Sequence, residues 1–89
     1  MQSILVRHTV KDFATWKTGY DAHAGARASA GLTSIGLWRN HHNPNEVVAV
    51  LRAQDMAKAQ ALFGSEDMRQ TMVAAGVIGQ PDVTILDEA

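Results

Sequence analysis

The sequence has no cysteine, which excludes disulfides, thiolate metal sites and thiol nucleophiles. Its seven glycines and two prolines form no dinucleotide fingerprint, phosphate loop or G-x-S-x-G elbow, so nucleotide-dependent chemistry and serine hydrolysis have no motif to rest on. Charge of either sign is scarce. Eight Lys and Arg stand against nine Asp and Glu, for a net charge of −1, and no basic run offers a footprint for a nucleic-acid backbone. No apolar stretch approaches the roughly 18 residues of a membrane span. The opening MQSILVRHTV lacks the basic segment, apolar run and cleavage site of a signal peptide. The expected setting is cytoplasmic, with neither a nucleic acid nor a membrane as partner.

What the chain has in quantity is apolar residues: 46% are hydrophobic and 19% charged, in 89 residues. That length is expected to form one small domain, 1–89. A domain of this size buries only roughly 60–65% of its unfolded surface. Apolar content in excess of what such a core holds points to a face covered by a partner, most simply a second copy of the chain.

In chain order, Ser3–Val10 reads as a strand, with Ile4, Val6 and His8 on one face and Leu5, Arg7 and Thr9 on the other. Asp12 is the expected N-cap of a helix in which Phe13, Trp16, Tyr20, Ala24 and Arg27 share a stripe, with His23 on its edge and Gly31 as the C′ residue. Leu32–Ala53 reads as a hairpin. Its strands are Thr33–Arg39 and Val47–Leu51, joined by the turn Asn40–Asn45. On the first strand Leu32, Ser34, Gly36 and Trp38 are expected on one face, and Gly36 marks a bulge or a close backbone approach. Asp55 caps a second helix, Gly64 breaks it, and Ser65 restarts it with Met68, Thr71, Met72 and Ala75 inward. Val77–Pro81 is expected to be a connector, Val83–Leu86 the last strand, and Asp87–Ala89 a loose tail.

The order strand, helix, strand, strand, helix, strand is βαββαβ, a ferredoxin-like α+β fold. It places two helical layers on one face of a four-stranded antiparallel sheet and leaves the other face bare. A bare apolar face is expected to pack on its own copy.

On several local patterns the chain resembles the dimeric α+β barrel superfamily. They are the pair Trp16/Tyr20, the Gly36-Leu37-Trp38 and Asn43–Val47 parts of the hairpin, and S-E-D-M-R…M…A-A-G-V…G-Q-P from Ser65 to Pro81. The resemblance covers nearly the whole chain and is nearest to small members, some named as cyclases. The superfamily also includes antibiotic-biosynthesis-type monooxygenases, haem-degrading enzymes, muconolactone isomerases and stress-responsive proteins. It therefore implies a homodimer through the open sheet face, and a pocket between helices and sheet, without assigning a reaction. No catalytic role transfers residue by residue.

The residues themselves suggest candidates. Arg27 ends an apolar stripe, so its guanidinium must snorkel, meet a carboxylate or backbone carbonyls, or anchor an anionic or carbonyl-bearing ligand. His8, on a central strand, is a general base, a haem ligand, or a histidine satisfied by one hydrogen bond. Tyr20 carries a phenol able to donate to a carbonyl oxygen. His8, Tyr20 and Arg27 are the catalytic candidates. Trp16, His23, Trp38, Phe63, Met68 and Met72 are either core or the lining of an adaptable pocket. His41 and His42 sit in an exposed turn with no zinc pattern around them. No metal or cofactor is expected. The expected function is a small-molecule enzyme of cyclase, isomerase or cofactor-independent monooxygenase type, acting on a small apolar oxygenated molecule. The alternatives are a non-catalytic ligand-binding or stress-related homodimer and, third, haem binding.

Overall fold

The computed structural model describes residues 2–89. The elements are β1 (Gln2–Val10), α1 (Phe13–Ala22), α2 (Ala24–Ser29), β2 (Leu32–Arg39), β3 (Glu46–Ala53), α3 (Met56–Phe63), α4 (Glu66–Ala74) and β4 (Val77–Asp87). The strands form one antiparallel sheet in the order β2-β3-β1-β4. This is the ferredoxin-like arrangement, with each helical layer in two pieces. Among the described residues no helix is long and apolar enough to cross a membrane.

Local chemistry sets the helix ends. Asp12 accepts from the backbone N–H of Thr15 at 3.0 Å and from its hydroxyl at 2.7 Å. Asp55 accepts from the N–H groups of Ala57 and Lys58, and Ser65 from that of Met68. These three caps satisfy donors that the first helical turn leaves free. Gly31 adopts φ +75°, the left-handed conformation that glycine takes without a Cβ penalty. The single first helix expected from the apolar stripe is in fact two. The chain turns at His23, whose N–H is shared between the carbonyls of Gly19 and Tyr20 at 3.2 Å each. Gly19 and Gly25, on either side of the turn, weaken the helix there, although the alanines between and beyond them favour it.

Beneath the helices the sheet buries Ile4, Val6, His8 and Val10 of β1 and Val47, Ala49, Leu51 and Ala53 of β3. The core is in two parts. One gathers Ile4, Val6, Leu51 and Ala59 with Met56 and Phe63; the other gathers Val10, Trp16 and Val47 with Phe13, Tyr20 and Ala75.

Two bulges shift the strands from their expected phase. On β2 the pairing steps from Ser34↔Leu51 to Gly36↔Val50, leaving Ile35 as the extra residue. Leu32, paired with Ala53, therefore lies on the helix face, whereas Trp38, paired with Val48, lies on the open face. The expectation that Leu32 and Trp38 share a face is thus corrected, because one extra residue exchanges every side chain beyond it. Gly36 marks the end of the bulge, paired with Val50 just after Ile35, and is also the close approach: a Cβ there would stand 2.3 Å from the Trp38 indole, which lies across it.

On β4 the pairing with β1 steps from Arg7↔Asp82 to Thr9↔Ile78, so that Gly79, Gln80 and Pro81 stand opposite His8 alone. The expected connector Val77–Pro81 is therefore the first part of β4, bulged and not a loop. Gly79 takes φ +70° there, and Pro81 sits on an edge strand, where a missing N–H is tolerated. Asp87, expected in a loose tail, instead ends β4; it pairs with Gln2 and accepts from its side-chain amide at 2.9 Å.

Candidate active site

Between the two halves of the core lies a cleft of about 50 Å³. It exists because small residues stand where larger ones would meet: Ala49 on its sheet side, Gly19 on α1 and Ala75 at the end of α4. A Cβ on Gly19 would lie 3.2 Å from that of Ala75, so α1 and the end of α4 touch and close the cleft on that side.

Eight of the nine residues named from sequence line this one space: His8, Trp16, Tyr20, His23, Arg27, Phe63, Met68 and Met72. The ninth, Trp38, does not. It sits on the opposite face of the sheet, half-exposed, because of the Ile35 bulge. Val6, Gly19, Ala49, Leu51, Thr71 and Ala75 complete the lining and were not singled out as site residues. Thr71 and Ala75 follow from the inward stripe of α4; Gly19 and Ala49 carry no chemistry for a sequence reading to notice.

The polar groups in the cleft are linked by a column of stacked rings. His8 meets Trp16 edge to face at 5.2 Å between centroids, and Trp16 stacks on Tyr20 at 4.8 Å. The Arg27 guanidinium lies 3.7 Å from the centroid of the Tyr20 ring. Its Nη1 also donates to the Tyr20 backbone carbonyl at 2.8 Å. Arg27 therefore ties α2 to the last turn of α1 through a carbonyl that otherwise has only a share of the His23 N–H, and through a cation–π contact. Of the readings open from sequence, backbone carbonyl capture is what the guanidinium does, while the side chain still borders the cleft.

His8 and Tyr20 are less well satisfied. His8 is 8% exposed. Among the described residues neither of its ring nitrogens has a hydrogen-bond partner, and neither has the buried hydroxyl of Tyr20. Leaving a buried polar group unpaired costs about 1–3 kcal/mol, so three such atoms around one cleft are a standing cost to the fold. Burial lowers the pKa of His8 below the 6.5 of a free imidazole. At neutral pH the ring is uncharged, with one nitrogen a donor and the other an acceptor.

The hairpin turn contributes nothing here. His41 and His42 are exposed and 5.0 Å apart, edge to face. Asn40 holds the turn by accepting from the N–H groups of His42 and Asn43. No group of three or more His, Asp or Glu side chains among the described residues is placed to hold a metal ion.

No protein-family model and no curated protein matches the sequence. Solved structures do match the fold. An inferred antibiotic biosynthesis monooxygenase from Bordetella bronchiseptica superposes with a TM-score of 0.80 at 14% identity, over 99% of this chain and 96% of that one. SnoaB from Streptomyces nogalater, a cofactor-independent oxygenase, gives a TM-score of 0.76 at 15% identity, over 99% and 92%. Rv0793 from Mycobacterium tuberculosis gives 0.70 at 17% identity, over 99% and 94%. The likeness is one of fold. It runs the length of the chain and agrees with the ferredoxin-like arrangement that the order of elements implies.

Proposed function

We propose that this chain is a small-molecule enzyme whose cleft removes a proton from an apolar, oxygenated substrate. The observation that carries this reading is the pair of unpartnered proton-transfer groups, His8 and Tyr20, buried in one cleft. A merely structural histidine would be satisfied by a neighbour. A neutral imidazole is the form a general base needs, and its lowered pKa keeps it so at pH 7. In this reading His8 takes a proton from carbon beside a carbonyl, while the Tyr20 hydroxyl donates to the carbonyl oxygen, where negative charge develops. Arg27, held over the Tyr20 ring, fixes the phenol's position.

That step is shared by three reaction types. An enolate reprotonated at another carbon gives isomerisation; one that attacks a carbonyl of the same molecule gives cyclisation. One that transfers two electrons to dioxygen forms a hydroperoxide, and loss of water from it leaves a new carbonyl group. The fold shared with SnoaB favours the oxygenase branch, although fold likeness alone is an analogy. The cleft is far smaller than a macrocycle requires, which speaks against the haem reading. The non-catalytic alternative leaves the unpaired His8 and Tyr20 without a purpose.

The active form is a homodimer. Register places Leu5, Trp38, Val48, Val50, Ile78 and Leu86 together on the face without helices. Trp38, Ile78 and Leu86 are 53%, 50% and 38% exposed. On that face Arg7 lies 3.2 Å from Asp82 and 4.0 Å from Glu46, and Arg52 stands exposed at its end, opposite Ser3 and Thr33. An apolar surface whose central charges are paired is suited to its own copy.

The test is exchange of the α-protons of 2-tetralone in D2O, followed by NMR. The wild type is expected to accelerate exchange. Tyr20→Phe should slow it by about 10–100-fold and His8→Leu by about 100-fold or more. Equal rates with and without the wild-type protein, across a panel of enolisable ketones, would defeat the proton-transfer reading.

A further inference from the structure

The cleft holding His8 is about 50 Å³, whereas a groove of about 440 Å³ lies on the other side of α4, between that helix and β4. Small-molecule sites usually run from about 300 to 1,000 Å³. The inner cleft has room for little more than a few water-sized groups, and the outer groove reaches that range alone. Phe63 and Met72 line both spaces. On α4, Met68, Thr71, Met72 and Ala75 face the cleft and Glu66, Arg69, Met72 and Val73 face the groove, so Met72 belongs to both stripes. α4 is thus a ridge between two hollows, and its one buried side chain is Met68.

We propose that the groove is a second lobe of the binding site, and that Phe63 and Met72 are the partition that sets ligand size. The ligand class is an elongated, uncharged molecule larger than the cleft alone can hold. Its oxygenated end enters the inner cleft and its apolar body lies in the groove. This inference rests on the cleft being the binding site, as argued above.

Three observations support it. First, the bulge Gly79–Pro81 stands opposite His8 on the neighbouring strand and lines the groove, so the same departure from regular pairing that forms the groove borders the candidate base. Second, the groove's walls carry exposed valines, Val73 at 63% and Val83 at 45%. Its charged residues cancel, since the Arg69 guanidinium forks onto the Glu66 carboxylate. Ser65 and Gln80 also line it, so an uncharged, mainly apolar occupant with a polar edge fits such walls. Third, the partition is made of adaptable parts. Phe63 and Met72 are both partly exposed, and methionine changes shape at little cost.

The experiment is calorimetric titration of the whole chain with phenol and with 2-naphthol. The wild type is expected to bind 2-naphthol at least 10-fold more tightly than phenol. Val83→Trp, which fills the groove from β4, should weaken 2-naphthol at least 10-fold and leave phenol within 2-fold. Val73→Trp fills it from α4 and should do the same, so one misfolded variant does not decide the matter. Met72→Ala should tighten 2-naphthol, and His8→Leu should weaken both probes. If filling the groove leaves 2-naphthol unaffected while His8→Leu still weakens phenol, the second lobe is overturned and the inner site stands. If neither probe binds, the inner site and the lobe fall together. If the tryptophan variants change the oligomeric state and not the naphthol affinity, the groove belongs to a second copy and the lobe is overturned.

Discussion

Arg27 holds Tyr20 at two points: its Nη1 donates to the Tyr20 carbonyl at 2.8 Å and its guanidinium covers the Tyr20 ring at 3.7 Å. One side chain thereby joins α2 to α1 across the turn at His23 and locks the phenol that faces the cleft. Arg27→Met is expected to cost about 1–2 kcal/mol of folding stability, from one charge-assisted hydrogen bond and one partly buried cation–π contact. It should leave the dimer intact and weaken phenolic ligands through a looser Tyr20. Urea denaturation and sedimentation check both; a variant as stable as the wild type would show that the two contacts carry no net energy.

His8 gives a prediction of opposite sign. Its imidazole is buried with both nitrogens unpaired, so an apolar side chain of similar size removes a desolvation cost. His8→Leu is expected to melt no lower than the wild type while losing ligand binding. A fall in melting temperature of several degrees would mean that the ring is satisfied and structural.

The same burial sets a pH dependence. The folded-state pKa of His8 lies below 6.5, so between the two values the unfolded chain binds more protons than the folded one, and stability falls as pH falls. The His8 contribution is therefore fully present above about pH 6.5 and declines below it until the folded pKa is passed. Urea midpoints at pH 7.5 and 5.5 should differ in the wild type and converge in His8→Leu. The carboxylates Asp12 and Glu66, whose pKa values are lowered by Thr15 and Arg69 respectively, act at lower pH, below their ordinary values of 3.8 and 4.5. An equal pH response in both proteins would remove His8 as its source.

On the open face, Gly36→Ala places a methyl group against the Trp38 indole, 2.3 Å from its ring, and the ring must swing away. Trp38 is half-exposed, so folding should be little affected. Dimer affinity should fall about 10-fold or more, as should that of Leu5→Glu, seen as a monomer peak by sedimentation at micromolar concentration. A wild type that is itself monomeric there would refute the proposed dimer.

Much of this architecture is legible in the sequence. Asp12, Asp55 and Ser65 announce helix starts because a short polar side chain before an apolar stripe has one obvious use. Strand alternation and helical spacing allow His8, Tyr20 and Arg27 to border one space but do not by themselves bring them together. What escapes is wherever one residue changes the phase. Ile35 is an ordinary β-branched residue, and nothing in its chemistry says that it stands unpaired and sends Trp38 to the far face. Gly79-Gln80-Pro81 reads as a loop, because glycine and proline signal a break more often than a bulge within a strand. The turn at His23 lies in a run that periodicity alone continues unbroken. The cleft's existence depends on absences, Gly19, Ala49 and Ala75, which a search for functional side chains passes over.

The central claim is that His8 presents a neutral, unengaged imidazole to whatever enters the cleft. The most direct measurement is an NMR titration of its ring nitrogens, with and without 2-naphthol. The account predicts an apparent pKa below 6.5 in the free protein and a shift of the ring-nitrogen signals when the probe binds. A pKa at or above 6.5, with ring signals that the bound probe leaves unmoved, would contradict it.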